Sequence, residues 1–335
     1  MHPVSGEEPR QAAAGVTGPG GTESGAGRIL TRAALGTVAV AAAVTFIARA
    51  QHVLPAYPLA VLNFLGVTVI LVVSLTITNG FAGLFSLGHP AFMAVGAYTA
   101  ALLTYPPVRK RLMLSDLPQW LSAVQWPLVP ATVAAGVAAL AVAVVIGIPL
   151  VRLRGHYLAL ATLGLIVVVG NLVTNARGIT RGPLGLTGVP ALANTWHVAG
   201  WAAATLVTAW RVRNSRFGRA LFAIRSDEAA AAVLGVPVAS YRLLALAVGA
   251  FYAGVAGALW GHLVTTVAPS SFSVGLAFQL VAMSVVGGWG SISGAVTGAT
   301  VLSLVGEALR PLESRHGLYG LSQMVTAGVL VLVLI

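Results

Sequence analysis

Ser86 and His89 stand three residues apart in "NGFAGLFSLGHPAF", Asn79 to Phe92, and three apart on a helix is one face. A serine nucleophile and its base could use that spacing, which would make an intramembrane hydrolase. No activating or oxyanion context accompanies the pair, so spacing alone carries that reading. The same stretch offers a second chemistry. Gly80, Gly83 and Gly88 crowd it before Pro90, and a helix that starts after such a break turns free N–H groups and its positive dipole end toward an anionic group such as a carboxylate. Ser86 is placed to cap that helix. A second crowded stretch, Gly287, Gly288 and Gly290 followed by Ser291, lies in the other half of the chain. Asn79, Gly80, Gly83, Ser86, Gly88 and His89 are therefore expected to line or gate a path, opposed by Gly287, Gly288, Gly290 and Ser291. Bulky substitution at Gly88 or Gly288 should then stop passage. The plainer reading is that these glycines only let helices pack closely, and the two readings are compatible.

Ionisable groups inside apolar runs are costly and mark function. His89, His156, His262 and Glu307 qualify by position. His156 and His262 lie at run ends, where a neutral imidazole at the interface is the ordinary explanation. Glu307 has Arg310 three residues later as a partner. None of them makes a proton relay, and the near absence of carboxylates in the apolar runs counts against an ion-coupled secondary transporter, the alternative of another class. The only lysine, Lys110 in "PPVRKRLML", lacks the glycine loop that cradles phosphate in a Walker A site, so the chain is not read as an enzyme. With no cysteine there is no disulfide and no thiolate chemistry. No metal site is indicated.

The elements that position these residues follow from composition. Hydrophobic residues are 57% of 335 and charged residues 8%, with a mean hydropathy of +0.90, which places several segments in lipid. Apolar runs near 33–48, 57–78, 86–105, 128–150, 156–174, 241–262, 275–309 and 318–335 are each about as long as the ~20 residues that cross a bilayer, and a weaker run lies at 192–210. They show no strand alternation, so the fold is expected to be all-α: a polytopic helical membrane protein with about 8–10 transmembrane segments and discontinuous helices. Residues 1–27 read as a disordered cytoplasmic tail and 28–335 as the membrane domain. "ARA" at Ala48 to Ala50 matches a signal-peptide cleavage pattern, but the long preceding region and the spans that follow favour retention.

The net charge of +11 sits in small groups at run ends, which speaks for topology and against nucleic acid. Arg10, Arg28 and Arg32, then Arg152 and Arg154, then the cluster from Arg211 to Arg242 are assigned to the cytoplasm. Alternating spans then leave Arg109, Lys110 and Arg111 outside, against the rule. Most of that cluster falls in "SRFGRALFAIRSDEAAAAVLGVPVASYRLLA", residues 215–245, which overlaps a cytoplasmic loop at about 211–240. Ser226 can cap a short helix whose first turn holds Asp227 and Glu228, and Gly235 and Pro237 stop it. Phe217, Leu221 and Ile224 form an apolar stripe edged by Arg216, Arg219 and Arg225. Such a face suits a partner protein, and the alternative is rest on anionic lipid.

"SRFGRALFAIRSDEAAAAVLG" resembles the coupling region of permease subunits of ABC importers, specifically the branched-chain amino-acid permease family. "GLFSLGHPAFMAVGAYTAALL", "LRGHYLALATLG", "TRGPLGLTGVP" and "VVGGWGSISGAVTGA" agree in the same order, so the resemblance covers about residues 60–335. It implies a multi-pass subunit of a bacterial-type plasma (inner) membrane that does not hydrolyse ATP. A second homologous permease, two cytoplasmic ATPases that hold ATP and Mg, an extracytoplasmic binding protein and membrane lipid are the implied partners, and this chain itself would bind no cofactor. Ser215, Arg216, Phe217, Gly218, Arg219, Leu221, Ile224, Arg225, Asp227, Glu228 and Gly235 are the implied ATPase-coupling residues. Gly182, Pro183, Gly185 and Gly188 are the implied loop facing the binding protein. The implied cargo is a branched-chain amino acid or a related small polar solute, with urea or short amides as the alternative. Two departures touch on that cargo: Arg181 stands where the family commonly has glycine, and Val167 where it has an acidic residue. Family members also continue beyond an apolar run such as the one reaching Ile335 into a basic cytoplasmic end, so truncation is expected.

Overall fold

A computed structural model describes residues 49, 51, 53–114, 116–153, 155–316 and 320–334. The tail at 1–27, the run at 33–48 and Ala48 and Ala50 of the cleavage pattern lie outside the described residues. Helix α1 (Ala56–Leu75) widens into a π-helical turn, Thr76–Phe81, and an irregular turn leads to α2 (His89–Thr104). Two short helices, α3 (Pro107–Met113) and α4 (Gln119–Ala123), precede α5 (Leu128–Leu150) and α6 (His156–Asn175). A single turn α7 (Arg177–Thr180), a 3-10 turn at Gly182–Leu184 and strand β1 (Leu186–Thr187) follow. Next come α8 (Thr195–Asn214), α9 (Arg216–Ser226), α10 (Glu228–Val233) and α11 (Val238–Val264). Strand β2 (Thr266–Val267), α12 (Val274–Val286), α13 (Ile292–His316) and α14 (Leu321–Leu334) complete the chain.

The fold is all-α and polytopic. Among the described residues, six segments are long and apolar enough to cross a membrane, or seven if α2 and α3, bent by 116°, count as one span. The run expected at 275–309 is not one interrupted span but two helices. Gly287 and Gly294 approach each other so closely that a Cβ on either would strike the other's carbonyl, and a Cβ on Gly298 would strike Met283 O. That pattern is an antiparallel hairpin, with Gly287 to Ser291 as its reversal. The weaker run at 192–210 is a full helix, α8, opened by Asn194, whose side chain accepts from His197 N at 3.1 Å.

Packing sorts residues by size rather than polarity. On α5, Ala131, Ala135, Ala139 and Ala143 are fully buried, while Val129, Val133, Val137 and Val145 are 40–70% exposed on the other side. In lipid the outer face gains nothing from polarity, so small residues go where backbones must approach, and large ones face hydrocarbon. α11 is the pillar against which α1, α2 and α5 pack. A Cβ on Gly254 would lie 2.7 Å from Ala135 O, and one on Gly257 would overlap Met93 O.

Those contacts also set direction. Along α2 and α11 the neighbours advance together, Met93 with Gly257, then Thr104 with His262, so the two run parallel. α5 and α1 run opposite to α11, since Gly136 meets Val255 and Gly147 meets Leu243, and Thr78 bonds Ala245 O. The bundle therefore has two ends. One gathers the turns at 82–88 and 287–291 with the 215–242 segment, and the other gathers 105–127, 177–194 and 265–272.

At the second end two of the three basic residues, Arg109 and Lys110, have structural uses. Lys110 is 1% exposed and donates to Leu121 O and Val124 O, at the C-terminal end of α4, where a cation opposes the dipole. Arg109 donates to Gly188 O. The departure from the positive-inside pattern thus coincides with charges consumed in building a loop.

Candidate functional site

The first glycine stretch is a reversal, buried except at Gly83 and Phe85, whose shape is set by Asn79. Its amide Nδ2 donates to Ser86 O at 2.9 Å, and its Oδ1 accepts from Ser86 N at 3.1 Å, so one fully buried side chain closes the loop with a donor and an acceptor together. Leu87 N is taken by Thr162 Oγ1 of α6 at 2.9 Å. Ser86 does not cap α2. The N-cap is Gly88, and Ser86 Oγ accepts from Gly88 N at 3.3 Å instead, because the loop places Ser86 two residues upstream of the cap. His89 is 1% exposed and no hydrogen bond joins its ring to Ser86, whose Oγ is taken by Gly88 N, so the geometry holds no Ser86–His89 relay.

The second stretch lies directly against the first. A Cβ on Gly80 would sit 2.8 Å from Gly290 Cα and 2.9 Å from Gly290 N, so the two backbones touch. Trp289 Nε1 donates to Asn79 O at 3.1 Å, and its ring stacks on Phe85 with centroids 5.8 Å apart. Ser291 does act as a cap here, its Oγ accepting from Gly294 N at 3.2 Å at the start of α13. Gly88 and Gly288 are less tight. A Cβ on Gly88 would meet its nearest atoms at 3.5 Å, and one on Gly288 would meet nothing within 4 Å, so the close pair is Gly80 and Gly290.

The 215–242 segment is folded into this contact. Ser215 caps α9, accepting from Gly218 N at 3.1 Å. The second short helix is capped by Asp227, which accepts from Ala230 N at 3.0 Å; Ser226, the expected cap, is the last residue of α9. Gly235 N returns to Ala232 O and Val236 N to Ala231 O, the paired closure that ends a helix on glycine. Glu228 pairs with Arg242 of α11 at 3.0 Å.

The apolar stripe faces inward. Leu221 is 0% and Ile224 2% exposed, Phe217 stacks on Tyr241 and Phe222 packs on Phe81 at 5.3 Å, so the stripe covers the chain's own bundle. The amphipathic period shows that one face is buried but not against what. Arg216, Arg219 and Arg225 are all exposed, and of the three Arg225 also touches the glycine turns, its Nη1 donating to Gly80 O at 2.5 Å. The apolar surface left open is Val233, 88% exposed, and Leu234, 82% exposed, which the periodicity of α9 did not mark. A cleft of about 270 Å³ is lined by Leu84, Phe85, His156, Glu228 and Arg242 among others.

Gly182, Pro183, Gly185 and Gly188 lie at the opposite end, where β1 pairs antiparallel with β2, Leu186 opposite Val267. Tyr105 hydroxyl donates to Thr187 O at 2.6 Å. Arg181 occupies the left-handed region at φ 62°, a conformation that suits glycine, and its guanidinium donates to Thr187 Oγ1 at 3.0 Å. His262, two residues before the end of α11, is packed against α2 rather than exposed. It is 1% exposed, with Nδ1 donating to Ala258 O at 2.6 Å and Nε2 bonded to Thr104 Oγ1 at 2.9 Å, because the pitch of α11 turns it toward α2. Glu307 and Arg310 pair at 3.5 Å, as their spacing suggests.

A family model described as "Branched-chain amino acid transport system / permease component" matches residues 57–334. The high-affinity branched-chain amino acid transport system permease protein LivM of Escherichia coli (strain K12) is 29% identical over 301 residues, covering 80% of this chain and 65% of that protein. LivM of Salmonella typhimurium (strain LT2) is 28% identical with the same coverage. The autoinducer 2 import system permease protein LsrC of Yersinia pseudotuberculosis (serotype O:1b) is 29% identical over 168 residues, 47% of each chain. The chain thus spans about 65% of the length of the LivM relatives. No solved structure matches it.

Proposed function

Since this chain belongs to the branched-chain amino acid transport system permease family and is a multi-pass protein of the plasma (inner) membrane, we propose that it forms part of the membrane path of an ATP-driven importer. Two ATPase subunits on the cytoplasmic side would drive it, beside a second permease and beneath an extracytoplasmic binding protein. The observation that carries this reading is the α9–α10 segment: its apolar stripe is locked onto the bundle at the touching glycine turns, while Val233 and Leu234 project from α10. An apolar knob on the aqueous side is a docking surface, and rigid attachment behind it transmits a push. Gly182 to Gly188, at the other end, would meet the binding protein. The cargo proposed is a branched-chain amino acid; the match to an autoinducer 2 permease supports a scaffold that serves other small polar solutes too.

The test is reconstitution of the chain with its neighbouring permease, ATPase and binding-protein subunits. Uptake of labelled leucine on adding ATP, lost when the ATPase is left out, is expected. ATP-independent uptake driven by an ion gradient would overturn the reading in favour of a secondary transporter.

A further inference from the structure

Arg225 is placed where no docking residue needs to be. It sits in the last turn of α9 as an exposed residue, yet its guanidinium donates to Gly80 O at 2.5 Å and lies against Gly290, where a Cβ would come within 2.5 Å of Nη1. Its stem runs over Gly83, where a Cβ would be 3.1 Å from Arg225 Cγ. Gly83 at φ 65° and Gly290 at φ 89° therefore leave room for this side chain as well as taking a left-handed backbone. One side chain of the coupling segment thus touches both reversals at the point where they touch each other.

The π-helical turn explains why the acceptor is free. The carbonyls of Asn79 and Gly80 stand at its end, where helical partners run out, and they accept from Trp289 and from Arg225 instead. Trp289 belongs to the second reversal, so its bond joins the two turns directly. Arg225 belongs to α9, so its bond joins them to the element expected to move. No carboxylate among the described residues forms an ion pair with Arg225. A cation bonded to a neutral carbonyl at a partly open site is held firmly enough to close the contact and released without separating opposite charges.

We infer that Arg225 is a latch: its guanidinium holds the Gly80 and Gly290 turns together at the inner end of the path, and displacement of α9–α10 withdraws it and lets them part. Arg225 is then a positioning residue acting on the gate, not a contact to the ATPase. The inference rests on the function proposed above and adds the residue that converts motion into opening.

The experiment uses the complete reconstituted complex in proteoliposomes, with solute uptake and ATP hydrolysis measured on the same vesicles. In Arg225→Ala the leucine moved per ATP hydrolysed should fall at least about tenfold, the size of a typical coupling free energy, and preloaded vesicles should leak without ATP. Arg225→Lys, which keeps the charge without the planar fork, should recover part of the ratio and serves if the alanine protein is not recovered. A wild-type ratio with no leak in Arg225→Ala, or in Arg225→Lys when only that protein is obtained, overturns the latch. Loss of uptake and hydrolysis in strict proportion also overturns it, because that is the signature of a docking residue. A wild-type complex without ATP-dependent uptake would instead overturn the underlying function.

Discussion

Asn79 shows how much a single side chain settles in this protein. It supplies both a donor and an acceptor to Ser86 in a site fully closed to solvent, so replacement leaves backbone groups buried without partners. Asn79→Ala should lower stability by about 1–3 kcal/mol for each orphaned group, read as a reduced melting temperature of the detergent-purified complex. Asn79→Asp keeps the acceptor but loses the donor to Ser86 O, and should fall at least as far because a charge is buried with it. At the turn contact, Gly80→Ala forces apart backbones that now touch, and Gly290→Ala strains a backbone at φ 89° and presses on the Arg225 guanidinium. Overpacking costs about 1–3 kcal/mol, so uptake should drop by roughly tenfold or more at normal membrane levels, whereas Gly88→Ala, with its nearest atoms at 3.5 Å, should stay near wild type. The glycines were legible as residues because crowding in an apolar run is a local signal. Their partners were not: Arg225 lies 145 residues from Gly80 and Trp289 lies 210 from Asn79.

Helices α9 and α10 divide one sequence stretch between two jobs. Leu221 and Ile224 bind the segment to the bundle, and Val233 and Leu234 face outward. Paired substitution of Val233 and Leu234 by Asp should abolish co-purification of the ATPase while the permease itself still folds, a loss of about 2 kcal/mol or more if these are anchors of the interface. Undiminished co-purification would move the docking surface elsewhere. Span lengths were readable because apolar length is a local quantity; α5 runs from Leu128 to Leu150, the bounds its run implied. The hairpin of α12 and α13 was not readable, since a reversal of a few glycines and a serine between two apolar helices leaves hydropathy almost unbroken. The orientation of the α9 stripe was hidden for a related reason: an apolar face can meet a partner, lipid or the chain itself with the same period.

Over the whole molecule, the parallel and antiparallel helix contacts put the coupling segment and both glycine turns at one end and the β1–β2 loop at the other. The chain contains no cysteine, so single cysteines report sidedness without background. Cysteine at Val233, 88% exposed, should react with a membrane-impermeant maleimide only from the cytoplasmic side, and cysteine at Leu184, 72% exposed, only from outside. Labelling of both from the same side would contradict the arrangement. The amino-acid sequence on its own determined that the chain lives in lipid, that it is helical, where spans such as α5 lie and where its backbone is broken, because each follows from transfer free energies and torsional preferences summed over neighbours. Tertiary structure alone decided that the two breaks meet, that Arg225 donates to Gly80 O beside Gly290 and that Val233 and Leu234 rather than the α9 stripe are the open apolar surface. Those are contacts between distant segments, and they depend on how helices of similar hydropathy choose one another through shape.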